Sequence, residues 1–297
     1  MAIAERAVAA YLGLAIGDAL GATVEFLTPN EIRHQHGTHR DIRGGGWLRL
    51  KPGQVTDDTT MALALGQAIL DNGGRVEPLA CARAFDAWMR AKPVDIGNTV
   101  RRNLVTFRHS GHPVAPPSDH DAGNGAAMRV LPVALATLGQ PRADIVRATR
   151  AQAHVTHHNP VSDAACDTLV AMLHTALKVG AGGTAVLRPH ADALVAQYPL
   201  YAFAGRRNDN PSGYVVDTLQ AVFDAFFGTQ SFEDCLVDVV NRGGDADTTG
   251  AIGGMLAGAC YGLEALPRRW LKALDAKVRD ACETQARALV AGCVPCA

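Results

Sequence analysis

Two stripes of glycine constrain the fold of this chain more than any other feature. Their members recur every fourth residue and are Gly13, Gly17 and Gly21 near the start, and Gly250, Gly254, Gly258 and Gly262 near the end. This spacing places each set on one face of an α-helix. Because glycine destabilises a helix interior, the stripes predict helices whose backbones approach closely, packed against each other or against central neighbours. If they pack against each other, the two ends of the chain meet in the core.

Apolar residues recur at helical spacing through most of the remaining chain. The segments with this pattern are 57–72, 77–91, 97–109, 125–138, 142–154, 161–179, 187–197, 213–227, 232–241, 248–263 and 273–291. No segment alternates polar and apolar residues for long enough to predict a strand. A polar stretch with His34, His36 and His39 is expected to be a solvated loop. The sequence therefore predicts an all-α protein with functional loops at helix N-termini.

Composition excludes several classes of protein. The chain has 297 residues, 48% hydrophobic and 19% charged, which is typical of a globular protein built as one large domain or two closely packed halves. Its formal net charge is −1 and it has no run of basic residues, so we expect no nucleic-acid partner.

Neither long apolar stretch predicts a membrane span or a signal peptide. The segment 250–263 is too short to cross a bilayer, and Asp18 interrupts the segment 7–24. Seven cysteines, an odd number without a secretory signal, indicate a reducing cytoplasm. The C-x-x-C pair of Cys293 and Cys296 is interpreted as part of a terminal tail.

Oxygen-bearing side chains are concentrated in two short segments, each leading into a helical pattern. They are Thr56-Asp57-Asp58-Thr59-Thr60 and Asp245-Ala246-Asp247-Thr248-Thr249. An all-oxygen set of this kind suits Mg²⁺, Mn²⁺ or Ca²⁺ and disfavours Zn²⁺ and copper. If the two segments meet, their four carboxylates repel one another unless cations lie between them. Two divalent ions would resolve that repulsion.

Other interpretations of these segments have to be weighed. Each acid could act only as a helix cap, and Thr248 or Thr249 could cap the second helix. An EF-hand loop starting at Asp245 fails, because its twelfth position is Leu256 where a glutamate is needed. The D-x-D-x-T pattern from Asp245 also occurs in haloacid-dehalogenase phosphohydrolases, but those enzymes carry it near the chain start after a hydrophobic strand.

Four further loops carry candidate chemistry. Glu25 is an acid among apolar neighbours where the first helix ends, and Asp95 lies just before a predicted helix, where capping is the alternative. The glycine-rich segment 123–125 opens another helix, so free backbone N–H groups could hold an anion such as phosphate, with a packing turn as the alternative. His157 offers an imidazole ahead of a further helix, with a simple hydrogen-bonded loop as the alternative.

Several of these motifs, taken in order, resemble the ADP-ribosylglycohydrolase family. The motifs that carry the resemblance are Gly17-Asp18-Ala19-Leu20-Gly21, Gly44-Gly45-Gly46, Thr56-Asp57-Asp58-Thr59, Gly123-Asn124-Gly125-Ala126-Ala127-Met128-Arg129, Thr156-His157 and Gly243-Gly244-Asp245-Ala246-Asp247-Thr248. They span nearly the whole chain. The resemblance implies a single, compact, orthogonal helical domain over residues 1–297. It also implies release of ADP-ribose from the guanidino nitrogen of a modified arginine.

The resemblance implies roles for named residues as well. It implies two divalent metal ions, usually Mn²⁺ with Mg²⁺ or Fe²⁺ as alternatives, bound by Thr56, Asp57, Asp58, Asp245, Asp247 and Thr248. Asp95 would be the acid/base, with Glu25 assisting at the metal edge. The side facing ADP-ribose would be formed by Gly123, Asn124 and Gly125 at the diphosphate and by His157 and Tyr214 along the cleft.

The implied partners follow from the same resemblance. They are ADP-ribosylated dinitrogenase reductase, the iron protein of nitrogenase, as target, and a PII signalling protein that recruits such enzymes to the membrane periphery from the cytoplasm. A catalytically silent ADP-ribose-binding relative is the remaining alternative.

Overall fold

The two glycine-bearing helices pack directly against each other. The computed structural model describes residues 2–179, 183–205 and 207–292. Helices α1 (Ile3–Gly21) and α12 (Ala246–Tyr261) run antiparallel, and a Cβ atom added to Gly17 would lie 1.9 Å from the carbonyl oxygen of Gly250. Both helices are buried on all sides over most of their length, as expected for helices that are apolar all round. The two ends of the chain therefore meet in the core.

The rest of the described chain is helical too, which confirms the predicted all-α fold. Within the described residues there are fourteen α-helices and no β-strand. Besides α1 and α12 they are α2 (Pro29–His36), α3 (Asp57–Asp71), α4 (Pro78–Arg90), α5 (Asn98–Ser110), α6 (Leu131–Ala136), α7 (Arg142–Ala153), α8 (Pro160–Val179), α9 (Arg188–Gln197), α10 (Val215–Gly228), α11 (Phe232–Val240), α13 (Arg268–Ala273) and α14 (Ala276–Ala291). Helices α3 and α14 pack on α1, while α8, α10 and α11 pack on α12.

One predicted helix is interrupted in the structure. The segment 125–138 contains a 3₁₀ turn, Asn124–Ala126, and then the short helix α6, whose start is set by Pro132 because proline cannot occupy a helix interior. The helix predicted over 273–291 is α14, and it begins three residues later than predicted. Asp275 sets that start, since its side chain accepts hydrogen bonds from two backbone N–H groups of α14 and so caps the helix.

The histidine-bearing stretch was wrongly predicted as a solvated loop. Thr28 and Glu31 form a capping box that starts α2, with the Thr28 N–H donating to Glu31 Oε2 at 2.7 Å. His39 follows the helix and is buried, with its Nε2 atom 2.9 Å from the carbonyl oxygen of Leu20. The T-x-x-E signature that marks this helix start was present in the sequence.

Two other sequence expectations concern the chain's surroundings. No helix in the described ranges has both the length and the apolar character that a membrane crossing requires. The pair Cys293 and Cys296 lies outside the described residues.

The contact between α1 and α12 predicts a large loss of stability when Gly17 is replaced by alanine. The new methyl group would overlap backbone atoms of Gly250, which cannot move without separating the helices, so we expect a loss of about 3 kcal/mol or more in the free energy of unfolding. Urea unfolding followed by circular dichroism measures it.

Gly253→Ala is the matched control on α12. A Cβ atom there would meet only Val239 Cγ1, at 3.5 Å, so we expect unchanged stability or a gain of up to about 1 kcal/mol from helix propensity. Equal effects of the two substitutions would contradict the close backbone approach.

Candidate metal centre and substrate cleft

The two acidic segments lie side by side, although 190 residues separate Asp58 from Thr248 in the sequence. The Thr248 hydroxyl lies 3.3 Å from Asp58 Oδ2. The Thr56 hydroxyl lies 3.2 Å from the same Asp58 oxygen and 3.3 Å from Asp247 Oδ2. The first turns of α3 and α12 therefore bring together the residues that the sequence analysis expected to converge.

These acids are not helix caps. Helix α3 begins at Asp57 and α12 begins at Ala246, and the residues at their N-cap positions, Thr56 and Asp245, make no side-chain capping hydrogen bond. The expectation that Thr248 or Thr249 caps α12 is wrong, because both residues lie inside its first turn. The carboxylates are therefore left to face one another at the two helix starts.

Tight turns bring the second segment into place. Gly243 and Gly244 adopt φ values of 70° and 62°, as their predicted conformational freedom allows. A Cβ atom on Gly243 would lie 2.0 Å from the carbonyl oxygen of Leu27, and one on Gly244 would lie 2.1 Å from that of Pro211. Only glycine fits between these backbones, so the turn fixes the position of Asp245.

Asp18 holds the first segment in place, a role that the sequence analysis did not find. This residue of α1 is fully buried, and its carboxylate accepts the backbone N–H of Thr56 at 2.9 Å and that of Thr59 at 3.1 Å. The Thr59 hydroxyl donates to it as well. Asp18 thereby caps α3 from a distant helix and fixes the orientation of Asp57 and Asp58.

Glu25 and Asp95 complete the acidic cluster. Glu25 is 4% exposed, and Trp47 Nε1 donates a hydrogen bond to its Oε2 atom at 2.6 Å. Oxygens of Glu25, Asp245 and Asp247 lie within 4.8 Å of one another. Asp95 lies on the loop whose Gly97 N–H donates to Asp57 Oδ2 at 3.3 Å. Sequence reasoning missed Trp47, whose signal was an aromatic directly after three glycines.

Burial raises the pKa values of several acids of this cluster. Burial raises the pKa of Glu25 to about 8. Repulsion from neighbouring acids adds to this shift, whereas the hydrogen bond from Trp47 opposes it. Burial, with repulsion from Asp95 and Asp18, raises the pKa of Asp57 to about 7. Burial likewise raises the pKa values of Asp58 and Asp247 well above their ordinary range. Positive charge delivered among these groups would release the protons.

The donor set fits a hard divalent cation. All the converging atoms are carboxylate or hydroxyl oxygens, which are the ligands that such ions prefer. Thr56 has one hydroxyl proton and cannot satisfy both of its carboxylate neighbours. Asp58 Oδ1 is buried and has no hydrogen-bond partner among the described residues, although buried carboxylate oxygens are normally paired. A bound cation would supply the missing partner.

His157 is held as a neutral donor facing the cleft. Arg129 is fully buried and donates from Nη2 to the Thr156 hydroxyl at 2.8 Å, and this hydroxyl lies 2.8 Å from His157 Nδ1. The hydroxyl can accept from Arg129 and still donate its own proton to Nδ1, so these contacts fit the tautomer in which Nε2 carries the imidazole proton. Burial lowers the pKa of His157 to about 3. The ring is therefore uncharged at neutral pH.

The glycine-rich segment differs from its predicted anion-binding form. The Asn124 N–H donates to the Gly213 carbonyl at 3.0 Å, so it is not free for an anion. The Asn124 side chain donates to Asp245 Oδ2 and to Thr218 Oγ1, which places it beside the acidic cluster. Gly123 and Gly125 flank the His157 ring, because a Cβ atom on Gly125 would lie 2.8 Å from His157 Cε1. These two glycines leave room for the imidazole.

A cavity of about 540 Å³ connects these groups, a size typical of small-molecule sites. Of the residues expected at the site, its lining includes Glu25, Asp57, Asp95, Gly123, Asn124, Gly125, His157, Asp245, Asp247 and Thr248. Tyr214 is not among the lining residues, but its backbone pairs with Gly123 and its side chain is 41% exposed. Arg101 also lines the cavity, and it is the one Lys or Arg among the described residues that do so.

Comparison with known proteins identifies the family of this chain. The sequence pattern of the ADP-ribosylglycohydrolase family matches residues 1–296. The ADP-ribosyl-[dinitrogen reductase] glycohydrolase of Rhodospirillum rubrum is 50% identical over 97% of this chain and 96% of its own length. The ADP-ribosylarginine hydrolase Tri1 of Serratia proteamaculans (strain 568) is 34% identical over 91% of this chain and 75% of its own. A solved structure described as an ADP-ribosylglycohydrolase-related protein complex matches with a TM-score of 0.85 at 37% identity, covering 97% of this chain and 98% of that one. This chain belongs to the ADP-ribosylglycohydrolase family.

Proposed function

We propose that this protein hydrolyses the N-glycosidic bond between ADP-ribose and an arginine side chain of a target protein, and that ADP-ribosylated dinitrogenase reductase is its target. The observation that carries the proposal is an acidic cluster set in the wall of a cavity large enough for a small molecule. The 50% identity to a glycohydrolase named for that target supports it. We also propose that residues 1–297 act as one domain.

The acidic cluster is proposed to hold two divalent ions, with Mn²⁺ as the first candidate and Mg²⁺ or Fe²⁺ as alternatives. The proposed ligands are Thr56, Asp57, Asp58, Asp245, Asp247 and Thr248. When bound, such ions supply the charge that orients ribose hydroxyls and makes water more acidic. Asp18 and Asn124 support the ligands by fixing the α3 segment and Asp245, respectively.

Asp95 and Glu25 are proposed to move protons. Cleavage builds positive charge on the ribose, and the leaving guanidino nitrogen must gain a proton. Both carboxyl groups line the cavity, and each has one oxygen fixed, Asp95 Oδ1 by the Ile96 N–H at 2.7 Å and Glu25 Oε2 by Trp47. Asp95 serves as the acid/base at the guanidino nitrogen. Glu25 holds its own proton below about pH 8 in the metal-free protein, so it would accept a proton from water only after cations in the cluster had displaced that proton.

Uncharged and positive donors are proposed to bind the ADP-ribose side. His157 presents Nε2–H to the cavity, and Arg101 presents a guanidinium that can pair with the diphosphate. Gly123 and Gly125 keep the cavity open beside the imidazole, and Tyr214 offers an exposed ring next to Gly213 of the lining. A PII signalling protein as regulator, and recruitment from the cytoplasm to the membrane periphery, stay predictions from the family resemblance.

The phosphohydrolase alternative does not fit the structure. Asp245 follows the glycine turn after α11, and no strand precedes it in the described residues, whereas that mechanism places the nucleophile after a hydrophobic strand. A catalytically silent relative would bind ADP-ribose without turnover, so an activity assay distinguishes it from an enzyme.

We first predict a metal-dependent activity. The purified protein should release ADP-ribose from arginine-modified protein with Mn²⁺ and lose that activity in EDTA. Asp247→Asn should lower the rate by at least about 100-fold, because it removes a proposed ligand. Chromatographic quantification of ADP-ribose measures both. Asp217→Asn, on α10 outside the cavity lining, is the control. Binding of ADP-ribose without turnover in Mn²⁺ would identify a silent relative.

The raised pKa values predict how stability depends on pH. Glu25 and Asp57 bind protons in the folded protein up to about pH 8 and about pH 7, but release them near pH 4 when unfolded. The stability that this protonation adds is fully present below about pH 4, falls as pH rises toward the folded-state values, and does not change further above them. In EDTA, the melting temperature should therefore fall between about pH 6.5 and about pH 8 and level off above that range.

Excess Mn²⁺ should remove most of that decline, since the ion replaces the protons. The rise in melting temperature on adding Mn²⁺ should be larger at the upper end of this window than at the lower end. Buried His39 and His157 add little slope in this window, because they are neutral in the folded protein, with pKa values of about 4 and about 3, and bind few protons in the unfolded chain above about pH 6.5. Identical pH slopes in Mn²⁺ and in EDTA would contradict a cation at the cluster.

Asp18→Asn should weaken metal binding without contacting the metal. The amide can accept only on one side, so its NH₂ group would face an N–H or hydroxyl donor of Thr56 or Thr59. We expect Mn²⁺ affinity, measured by calorimetric titration, to fall by about 10- to 100-fold. Asp71→Asn at the exposed end of α3 is the control. A folded Asp18→Asn protein with unchanged affinity would refute the role of Asp18.

A further inference from the structure

A second cavity lies beside the first and shares a wall with it. Its volume is about 490 Å³, and the residues that line both cavities are Glu25, Phe26 and Trp47. The remaining lining includes Thr23, Gln35, His36 and Arg43. None of these four has a part in the proposed chemistry of the first cavity, so the second cavity needs its own explanation.

The shared wall consists of two exposed aromatic rings. Phe26 is 62% exposed and Trp47 is 52% exposed, and their ring centroids lie 5.4 Å apart. Phe26 has a φ angle of 62°, a left-handed conformation that is unfavourable for a bulky residue. Two large apolar rings that are solvated, one of them on a strained backbone, contribute little to folding. Their position is better explained by a ligand that covers them.

A rigid loop carries the tryptophan. Gly44, Gly45 and Gly46 have φ values of 67°, 84° and 65°, and Gly45 exchanges backbone hydrogen bonds with Leu50 at 2.7 and 2.9 Å. A Cβ atom on Gly46 would lie 2.3 Å from the carbonyl oxygen of Ala22, so the backbone of the loop packs closely against the end of α1. The ring of Trp47 is thus held in place on one side by this loop and on the other by Glu25.

Polar groups line the second cavity behind these rings. Thr23 is 5% exposed, and its hydroxyl has no hydrogen-bond partner among the described residues. The Arg43 side chain is 54% exposed, and its ion pair with Asp41 is long, with 3.7 Å between Nη2 and Oδ2. A buried hydroxyl without a partner and a loosely paired guanidinium suit a ligand with hydrogen-bonding groups and negative charge.

We propose that the second cavity binds the segment of the target protein that carries the modified arginine. This inference rests on the proposed function. The scissile bond must lie beside Glu25 and Asp95 while ADP-ribose occupies the first cavity, so the leaving arginine extends past the wall that Glu25 shares with Phe26 and Trp47. Its guanidinium stacks on the aromatic pair. The adjoining peptide enters the second cavity, where an acidic residue next to the arginine pairs with Arg43.

The experiment compares a small substrate with a peptide substrate. The small one is ADP-ribosyl-arginine, and the peptides carry ADP-ribosyl-arginine beside either aspartate or lysine. Wild-type protein should favour the aspartate peptide through a lower KM. Arg43→Glu should raise the KM for the aspartate peptide by about 10-fold and reverse the preference, while kcat/KM for ADP-ribosyl-arginine stays within about twofold. Arg49→Glu, in the same loop but outside the lining, is the matched control.

A second variant tests the aromatic wall without risking the fold. Asparagine tolerates the left-handed conformation better than phenylalanine, so Phe26→Asn should keep or raise the melting temperature. It should raise the KM for both peptides and for ADP-ribosyl-arginine while leaving Mn²⁺ affinity unchanged.

The outcomes separate the two proposals. If wild-type protein does not cleave ADP-ribosyl-arginine, the proposed function fails. If it cleaves all three substrates and Arg43→Glu behaves like Arg49→Glu, or lowers turnover of all three equally, only the peptide-binding assignment is overturned.

Discussion

Backbone contact between α1 and α12 is the constraint on which the rest of this structure depends. The contact repeats along the helices, from Gly13 against Gly254 to Gly17 against Gly250 and Gly21 against Ala246. The last of these contacts joins the end of α1 to the first turn of α12. Asp18, one turn earlier on α1, and Asp247, in that first turn, are therefore placed by the same interaction that forms the core. A side chain at any of these glycines would displace the acidic cluster along with the helices.

Burial of this many acids opposes folding, and the fold offsets part of the cost. Helices α3 and α12 both begin at the cluster, so the positive ends of two helix dipoles point at the carboxylates. Asp18 gains three hydrogen bonds from Thr56 and Thr59. The offset is incomplete, since burial still raises the pKa values of Asp57, Asp58 and Asp247. Where local rules of stability are broken in this way, function is the usual cause.

The sequence was sufficient for the periodic parts of this molecule and for its local motifs. Glycine spacing predicted which helices approach closely, and the paired acidic segments predicted a shared site. It was insufficient where a residue acts on a distant partner. Asp18 caps a helix 38 residues away, and Asn124 donates to Asp245, 121 residues away. No local pattern specifies such contacts, because the fold must exist before either partner is near.

Local errors had local causes. Helix α2 was overlooked because its residues are polar, although its capping box was readable at Thr28 and Glu31. The prediction of a continuous helix over 125–138 did not take Pro132 into account, and this residue can only begin a helix there. The resulting 3₁₀ turn matters for the site, since it directs the Asn124 side chain toward Asp245. If the same residues formed an α-helix, the main polar groups there would be backbone peptide groups and not the side-chain amide of Asn124.

The cavity is lined by both acidic and basic side chains, and different contacts hold each kind in place. Negative charge comes from acids fixed at two helix starts. The positive charge comes from Arg101, while His157 is kept neutral by burial and by the nearby charges of Arg129 and Arg102. A charged imidazolium would be drawn toward the acids and would compete with any cation bound there. A neutral imidazole avoids this competition while still donating from Nε2. The neutral state of His157 therefore leaves the attraction of the acids for cations undiminished, while Arg101 alone supplies positive charge among the described residues that line the cavity.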